Sequence, residues 1–137
     1  MNEPILDVAV IGAGHAGLSI SYCLKQNGLH HIVFERGKIG ESWRSQRWNS
    51  FAMNTANHKN VLPGQTYSGN DPEGFCTANE FVSALELYKQ KFQLPVVEHA
   101  QVVSVEKPDG ENYFTISVSK KRNYKELSKQ TGCYFLR

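Results

Sequence analysis

The chain opens with a continuous apolar run, Val8-Ala9-Val10-Ile11, followed by a glycine-rich turn and then by apolar positions at helical spacing. An unbroken run of this length predicts a strand covered on both faces, as in a parallel sheet packed between helices. The helix is expected from about Ala16 to Asn27, with Leu18, Tyr22 and Leu24 against the sheet and Ser21 where packing is close. Gly28 is its natural stop. His31-Ile32-Val33-Phe34 predicts the second strand. From Gly37 to Asp71 periodicity disappears and Gly, Asn, Ser and Pro become frequent, the pattern of a functional or a disordered segment. Trp43 and Trp48 within it argue against disorder.

Order resumes at Thr77-Ala78-Asn79-Glu80, a capping box in which hydroxyl and carboxylate satisfy reciprocal backbone donors. Phe81, Leu85, Tyr88 and Phe92 then form one apolar helical stripe, read as core. Pro95 ends that helix, Val96-Val97 predict a short strand, and Gln101 to Lys107 and Tyr113 to Ser119 predict a hairpin turning at Pro108-Asp109-Gly110. Phe114, Ile116 and Val118 alternate onto one face of its second strand. After Ser119 the chain changes character. Lys120 to Gln130 is polar without an amphipathic stripe, and Cys133 to Arg137 is a very short apolar close.

Composition narrows the class. At 137 residues, 40% hydrophobic and 20% charged, this is at most one ordinary globular domain. A net charge of +2 gives no electrostatic case for nucleic acid or acidic membranes. No apolar stretch approaches the roughly 20 residues that span a bilayer, and Met1-Asn2-Glu3-Pro4 lacks a signal-peptide pattern. Cys23, Cys76 and Cys133 form no paired motif, which points to reduced thiols and a cytoplasmic setting. His30, His31, His58 and His99 show no metal-ligand spacing, so no metal site is expected.

The candidate chemistry lies in the first turn. Gly12-Ala13-Gly14-His15-Ala16-Gly17 joins a strand to a helix, and Glu35 closes the next strand about 20 residues on. Gly12 suits the tight bend, Gly14 lets the backbone approach a pyrophosphate, and Gly17 lets helix and strand pack closely. The helix N-terminus offers free N–H donors and a positive dipole to phosphates. Glu35 would accept hydrogen bonds from ribose hydroxyls, which disfavours a 2′-phosphate there. Taken alone, this fingerprint admits NAD or FAD. His15 contributes its backbone, not a general base, and no catalytic residue is assigned. Arg44 and Arg47 read either as surface charges or, for one of them, as a phosphate or flavin contact.

The segment from Asp7 to Gly14, with Gly17-Leu18, Leu24, Gly28 and Glu35-Arg36, resembles the FAD-binding start of flavoproteins with two dinucleotide folds. Gly40-Glu41-Ser42-Trp43-Arg44, Arg47-Trp48, Leu62-Pro63-Gly64 and Phe75-Cys76-Thr77 are similar to flavin-containing monooxygenases. The likeness runs from about Pro4 to Ser119 and is nearest to the bacterial and plant branch that includes indole-pyruvate monooxygenase-like proteins. It implies that Gly12, Gly14 and Gly17 hold the FAD pyrophosphate, Glu35 the ribose, and Arg36 flanks adenosine. Gly40, Ser42 and Trp43 would approach FAD beyond its first ribose, Arg47, Trp48, Asn54 and Thr55 would lie towards the flavin, and Val102 or Val103 would contact adenine through its backbone. Ala56 and Glu41 depart from the family pattern.

The resemblance also implies an α/β, partial doubly wound (Rossmann-like) FAD-binding domain with a β-hairpin or meander and without the NADPH-binding domain. Residues 1–119 are expected to be its N-terminal part and 120–137 an atypical, out-of-family tail of a prematurely ended flavoprotein, because after Gly74 only Gly110 and Gly132 remain and no second phosphate loop can form. NADPH is implied as the reductant of FAD, with no site for it here. The chain is thus expected to be catalytically incomplete, with a non-enzymatic dinucleotide-binding module or an NAD-dependent dehydrogenase as alternatives. Without later strands, the edge of Val8 to Ile11 would be open to self-association.

Overall fold

Asp7 divides the N-terminal apolar run into two strands that serve different sheets. The computed structural model describes residues 5–121 and 129–136. Before the break lies β1 (Ile5–Leu6), and after it β2 (Val8–Ile11). The Asp7 amide donates to the His30 carbonyl at 2.8 Å, and its carboxylate accepts the His30 amide at 2.8 Å. This reciprocal pair locks the break against the entry to β3 (His31–Phe34). Asp7 thus orients the strand.

Between β2 and β3 runs α1 (His15–Gln26), one residue ahead of the expected helix at each end. It is followed by α2 (Glu41–Ser45), a single 3-10 turn (Asn57–Lys59), α3 (Ala78–Phe92) and β4 (Val96–Val97). The chain then forms a meander of β5 (Ala100–Glu106), β6 (Phe114–Lys121) and β7 (Lys129–Leu136). One sheet has the order β2-β3-β4 and is wholly parallel, with Val8 opposite His31 and Phe34 opposite Val97. The other has the order β1-β7-β6-β5, antiparallel except where β7 meets β1.

Two departures from the sequence reading stand out. The boundary after Ser119 falls inside β6, and the short apolar close belongs to β7, which pairs with β6 along its whole length and with β1 at its end. Of the polar stretch before it, residues 122–128 lie outside the described residues. Ile11, expected to be covered on both faces, is 62% exposed, because it stands at the strand's carboxyl end beside a cavity.

Side-chain alternation makes the parallel sheet the partition between two cores. Val10 and Val33 point to one face, where Leu18 of α1 and Phe81, Leu85 and Tyr88 of α3 bury against them. Phe34 points to the other, with Leu6, Ala100, Ile116 and Val118 of the meander sheet. The expected stripe of α3 is therefore core. Its capping box forms in both directions, Glu80 amide to Thr77 hydroxyl and Thr77 amide to Glu80 carboxylate, an arrangement that contributes about 1 kcal/mol. At its other end, Lys25 of α1 donates to the Phe92 and Gln93 carbonyls, so one helix caps the other.

The long irregular segment is anchored rather than loose. Leu62 is buried in the first core, and the Tyr88 hydroxyl donates to the Pro63 carbonyl at 2.7 Å. Met53 and Ala78 exchange backbone bonds with Cys76 and Phe51, tying the segment to the start of α3. Burial, with smaller contributions from Tyr22 and Cys23, pushes the Tyr88 hydroxyl up from 10.0 to about 12. Above the unfolded value the unfolded chain loses this proton while the folded chain keeps it, so stability falls as pH rises. Urea midpoints measured from pH 9 to pH 12 are expected to decline from about pH 10, and Tyr88→Phe to flatten part of that decline.

Candidate functional site

The carboxyl ends of β2 and β3 converge on the turn Gly12–Gly17. Gly12 has φ of +104°, a conformation that side chains disfavour, and its amide donates to the Phe34 carbonyl at 2.8 Å. Ala13 is completely buried and its peptide is held from both sides. Its amide donates to Glu35 Oε2 at 2.8 Å, and its carbonyl accepts the Gly40 amide at 3.0 Å. Glu35 Oε1 accepts the Gly37 amide at 2.9 Å, so this carboxylate, only 6% exposed, fixes two turns at once.

The turn leaves room where a phosphate would lie and none where the helix packs. A Cβ on Gly14 would meet nothing within 4 Å, whereas one on Gly17 would overlap the Gly12 carbonyl oxygen. The first turn of α1 carries no acidic residue and no side-chain cap, which leaves its leading amides to an anion. Ala16 lies within that turn, and His15 opens it with its ring turned to Phe81, centroids 6.3 Å apart.

A cavity of about 440 Å³ opens above the turn and brings together Gly12, Gly14, Glu35, Arg36, Ser42 and Val102. A second, of about 420 Å³, adjoins it through Arg36, Glu41 and Gln101 and reaches Val103. Val102 and Val103 thus stand at different cavities, beside a register shift between Val102 and Ser104. Gly40, at φ of +71°, starts α2 against Val82 and Leu85. Trp43 packs edge-on to Phe81 at 5.0 Å and Arg47 lies over its ring. Trp48 is 65% exposed, and Thr55 is spent on a local hydrogen bond to Asn60. Of the residues expected beyond the first ribose, Ser42 lines a cavity, whereas Gly40, Trp43, Arg47, Trp48, Asn54 and Thr55 line neither.

The sequence reading missed Ile11, Phe34, Ala100 and Gln101 as lining residues. The first two were within reach, because ligands of open parallel sheets bind beyond the carboxyl ends of the strands. Glu41, treated there only as a departure from pattern, faces both cavities and accepts the Lys38 amide.

Among the described residues no cluster of His, Cys, Asp or Glu could hold a metal ion. Cys23 and Cys76 are free thiols, and burial together with the Glu80 carboxylate pushes the Cys76 thiol up from its ordinary value, against thiolate formation.

A parallel sheet, a glycine turn opening a helix and a buried acid converging on one cavity define a dinucleotide-binding α/β domain. Residues 9–126 match the pyridine nucleotide-disulphide oxidoreductase family, and the chain belongs to it. It is 43% identical over 108 residues to an uncharacterized CzcO-like oxidoreductase of Geobacillus kaustophilus, covering 78% of this chain and 30% of that protein. It is 28% identical over 116 residues to the indole-3-pyruvate monooxygenase YUCCA4 of Oryza sativa subsp. japonica, covering 82% and 26%. The fold superposes on a flavin-containing monooxygenase from Stenotrophomonas maltophilia with a TM-score of 0.75 at 22% identity, covering 97% of this chain and 36% of that one. The chain thus spans about a third of the length of these relatives, and its likeness to flavin monooxygenase-type oxidoreductases holds in sequence and fold.

Two glycines separate folding from binding. Gly14 has φ of −84°, which any residue adopts, so Gly14→Ala is expected to unfold within about 1 kcal/mol of wild type while its Cβ fills the phosphate cradle. Gly17→Ala is expected to lose more than about 2 kcal/mol. Denaturant titration and ADP calorimetry on both variants read the two effects apart.

Proposed function

We propose that this chain binds FAD, with the adenosine half in the 440 Å³ cavity and the pyrophosphate at the start of α1. The single observation that carries the reading is the convergence of the Gly12–Gly14 backbone and the buried Glu35 on one cavity. When bound, FAD supplies two-electron redox chemistry. This chain's residues bind and orient it. The amides at the start of α1 face the pyrophosphate, and Arg36 with the β5 backbone at Val102 bounds the adenine end.

Each Glu35 oxygen accepts one backbone amide and keeps a further lone pair, so the carboxylate can receive the ribose hydroxyls without releasing the turn. A 2′-phosphate would bring negative charge against it. That argues for FAD or NAD over NADP at this turn. The indole-3-pyruvate monooxygenase among the relatives and the fold of the flavin-containing monooxygenase favour FAD. We assign the chain to a flavin-dependent monooxygenase whose NADPH is held outside these residues, so that the chain alone binds cofactor without turnover. No helix among the described residues is long and apolar enough to cross a membrane, and the free thiols of Cys23 and Cys76 support a cytoplasmic setting.

Titration calorimetry is expected to show FAD and ADP binding, with 2′-phospho-ADP at least about tenfold weaker. Stabilisation by NAD with none by FAD points instead to a dehydrogenase. NADPH oxidation by the chain loaded with FAD would overturn the binding-only role. Glu35→Gln turns one amide hydrogen towards a backbone donor, and is expected to weaken both nucleotides about tenfold or more.

A further inference from the structure

Two carboxylates hold the turn that follows β3. Glu35 Oε1 accepts the Gly37 amide at 2.9 Å, and Glu41 Oε2 accepts the next amide, that of Lys38, at 3.0 Å. Glu41 opens α2 and folds back across Gly37, where a Cβ would overlap its carboxyl group. Bonds to consecutive amides thus keep both acids on one turn. Glu41 stays half-buried and lines both cavities.

Arg36 lies between the two acids in the chain and faces the same two cavities. It forms no ion pair with a described residue. Among the described residues that line the adenosine cavity, it is the one cation, whereas His99 lines only the second cavity. A cation in this place has a use opposite to that of an acid. In dinucleotide folds an acid takes the free ribose hydroxyls, but a nearby arginine can accommodate a 2′-phosphate.

The charges at the cavity decide between these uses. Glu35 and Arg36 carry opposite charges and cancel, and Glu41 leaves one negative charge in excess. Glu35 already shares its charge with two amides, so it is the weaker barrier to an anion. Glu41 is bonded to one amide. Discrimination of this kind comes from a charge that penalises the wrong ligand, not from a contact that rewards the right one.

We propose that Glu41 determines nucleotide specificity at this site: by outweighing Arg36 it rejects nucleotides whose ribose carries a 2′-phosphate. The proposal rests on the adenosine placement above and gives Glu41 a role separate from the ribose contact of Glu35. The admitted class is adenosine diphosphates with a free 2′-hydroxyl, FAD among them.

The test measures the ratio of the dissociation constants of 2′-phospho-ADP and ADP by titration calorimetry on the 137-residue chain. A ratio cancels whatever a variant does to both nucleotides alike. Glu41→Gln keeps an oxygen for the Lys38 amide but loses the charge, and is expected to narrow the ratio about fivefold at low salt. Glu41→Asp keeps the charge and is expected to hold the ratio within about twofold of wild type. Arg36→Ala removes the opposing cation and is expected to widen it about fivefold. High salt is expected to shrink each change, because a half-buried charge is still screened. A ratio unchanged in Glu41→Gln refutes the proposal, as does equal narrowing in Glu41→Asp, since shape and not charge then governs. If Glu41→Gln fails to fold, an unchanged ratio in Arg36→Ala overturns the charge balance. Wild type that prefers ADP no more than Glu41→Gln does sinks this inference and spares the adenosine site. Wild type that binds both nucleotides equally sinks it too, along with exclusion by Glu35. Wild type that binds neither sinks the adenosine site as well.

Discussion

The carboxylate of Glu35 is the point on which the site depends. Burying a carboxylate is costly unless its oxygens are hydrogen-bonded, and here each accepts a backbone amide from a different turn. One bond holds the Ala13 peptide in place, and the other shapes the exit from β3. The Gly40 amide holds the opposite side of the same peptide, so the phosphate turn, the end of β3 and the start of α2 are ordered together. The absence of a side chain at Gly17 completes the arrangement, because only then can α1 lie against the Gly12 carbonyl. A ligand would meet donors already aimed, and preorganisation of this kind reduces the entropic cost of binding.

Around this point the parallel sheet works as a wall with a core on each side. The helical side is built by Leu18, Phe81, Leu85 and Tyr88, the meander side by Phe34, Ile116 and Val118. The cavity lies at the edge where both cores end, beyond the last residues of β2 and β3. Links such as Tyr88 to Pro63 and Lys25 to the end of α3 keep the long connection and the two helices in a fixed relation to that edge.

Elements with strong local signals were legible from the chain alone. The capping box at Thr77 and Glu80, the stripe of α3 and the hairpin of β5 and β6 follow from side-chain chemistry and periodicity acting over a few residues. α2 was not legible, because five residues cannot pay for helix nucleation by propensity. It is held by Gly40 at the turn and by Arg44 on Glu86. β7 was equally hidden. Its residues from Lys129 to Leu136 show no clear alternation, and its place comes from pairing with β6 and β1. Of the two arginines, Arg44 and Arg47, the family likeness placed only Arg47 towards the flavin, and residue chemistry alone left both open; in the fold, contacts with Glu86 and with the rings of Trp43 and Phe51 separate them.

By itself the sequence determined the βαβ unit, the glycine turn and the acid facing it, because each is specified by neighbouring residues and by spacing. It also placed the family likeness after Glu35, where Gly40 to Trp43 carry a side-chain pattern. Only the tertiary structure decided which residues meet at the cavity, that Ala13 is clamped from both sides, and that Trp48, Asn54 and Thr55 stand apart from it. The reason is physical. Hydrophobic period and turn chemistry act locally along the chain, whereas a site is formed by long-range packing that brings strand ends, turns and a buried charge into one place.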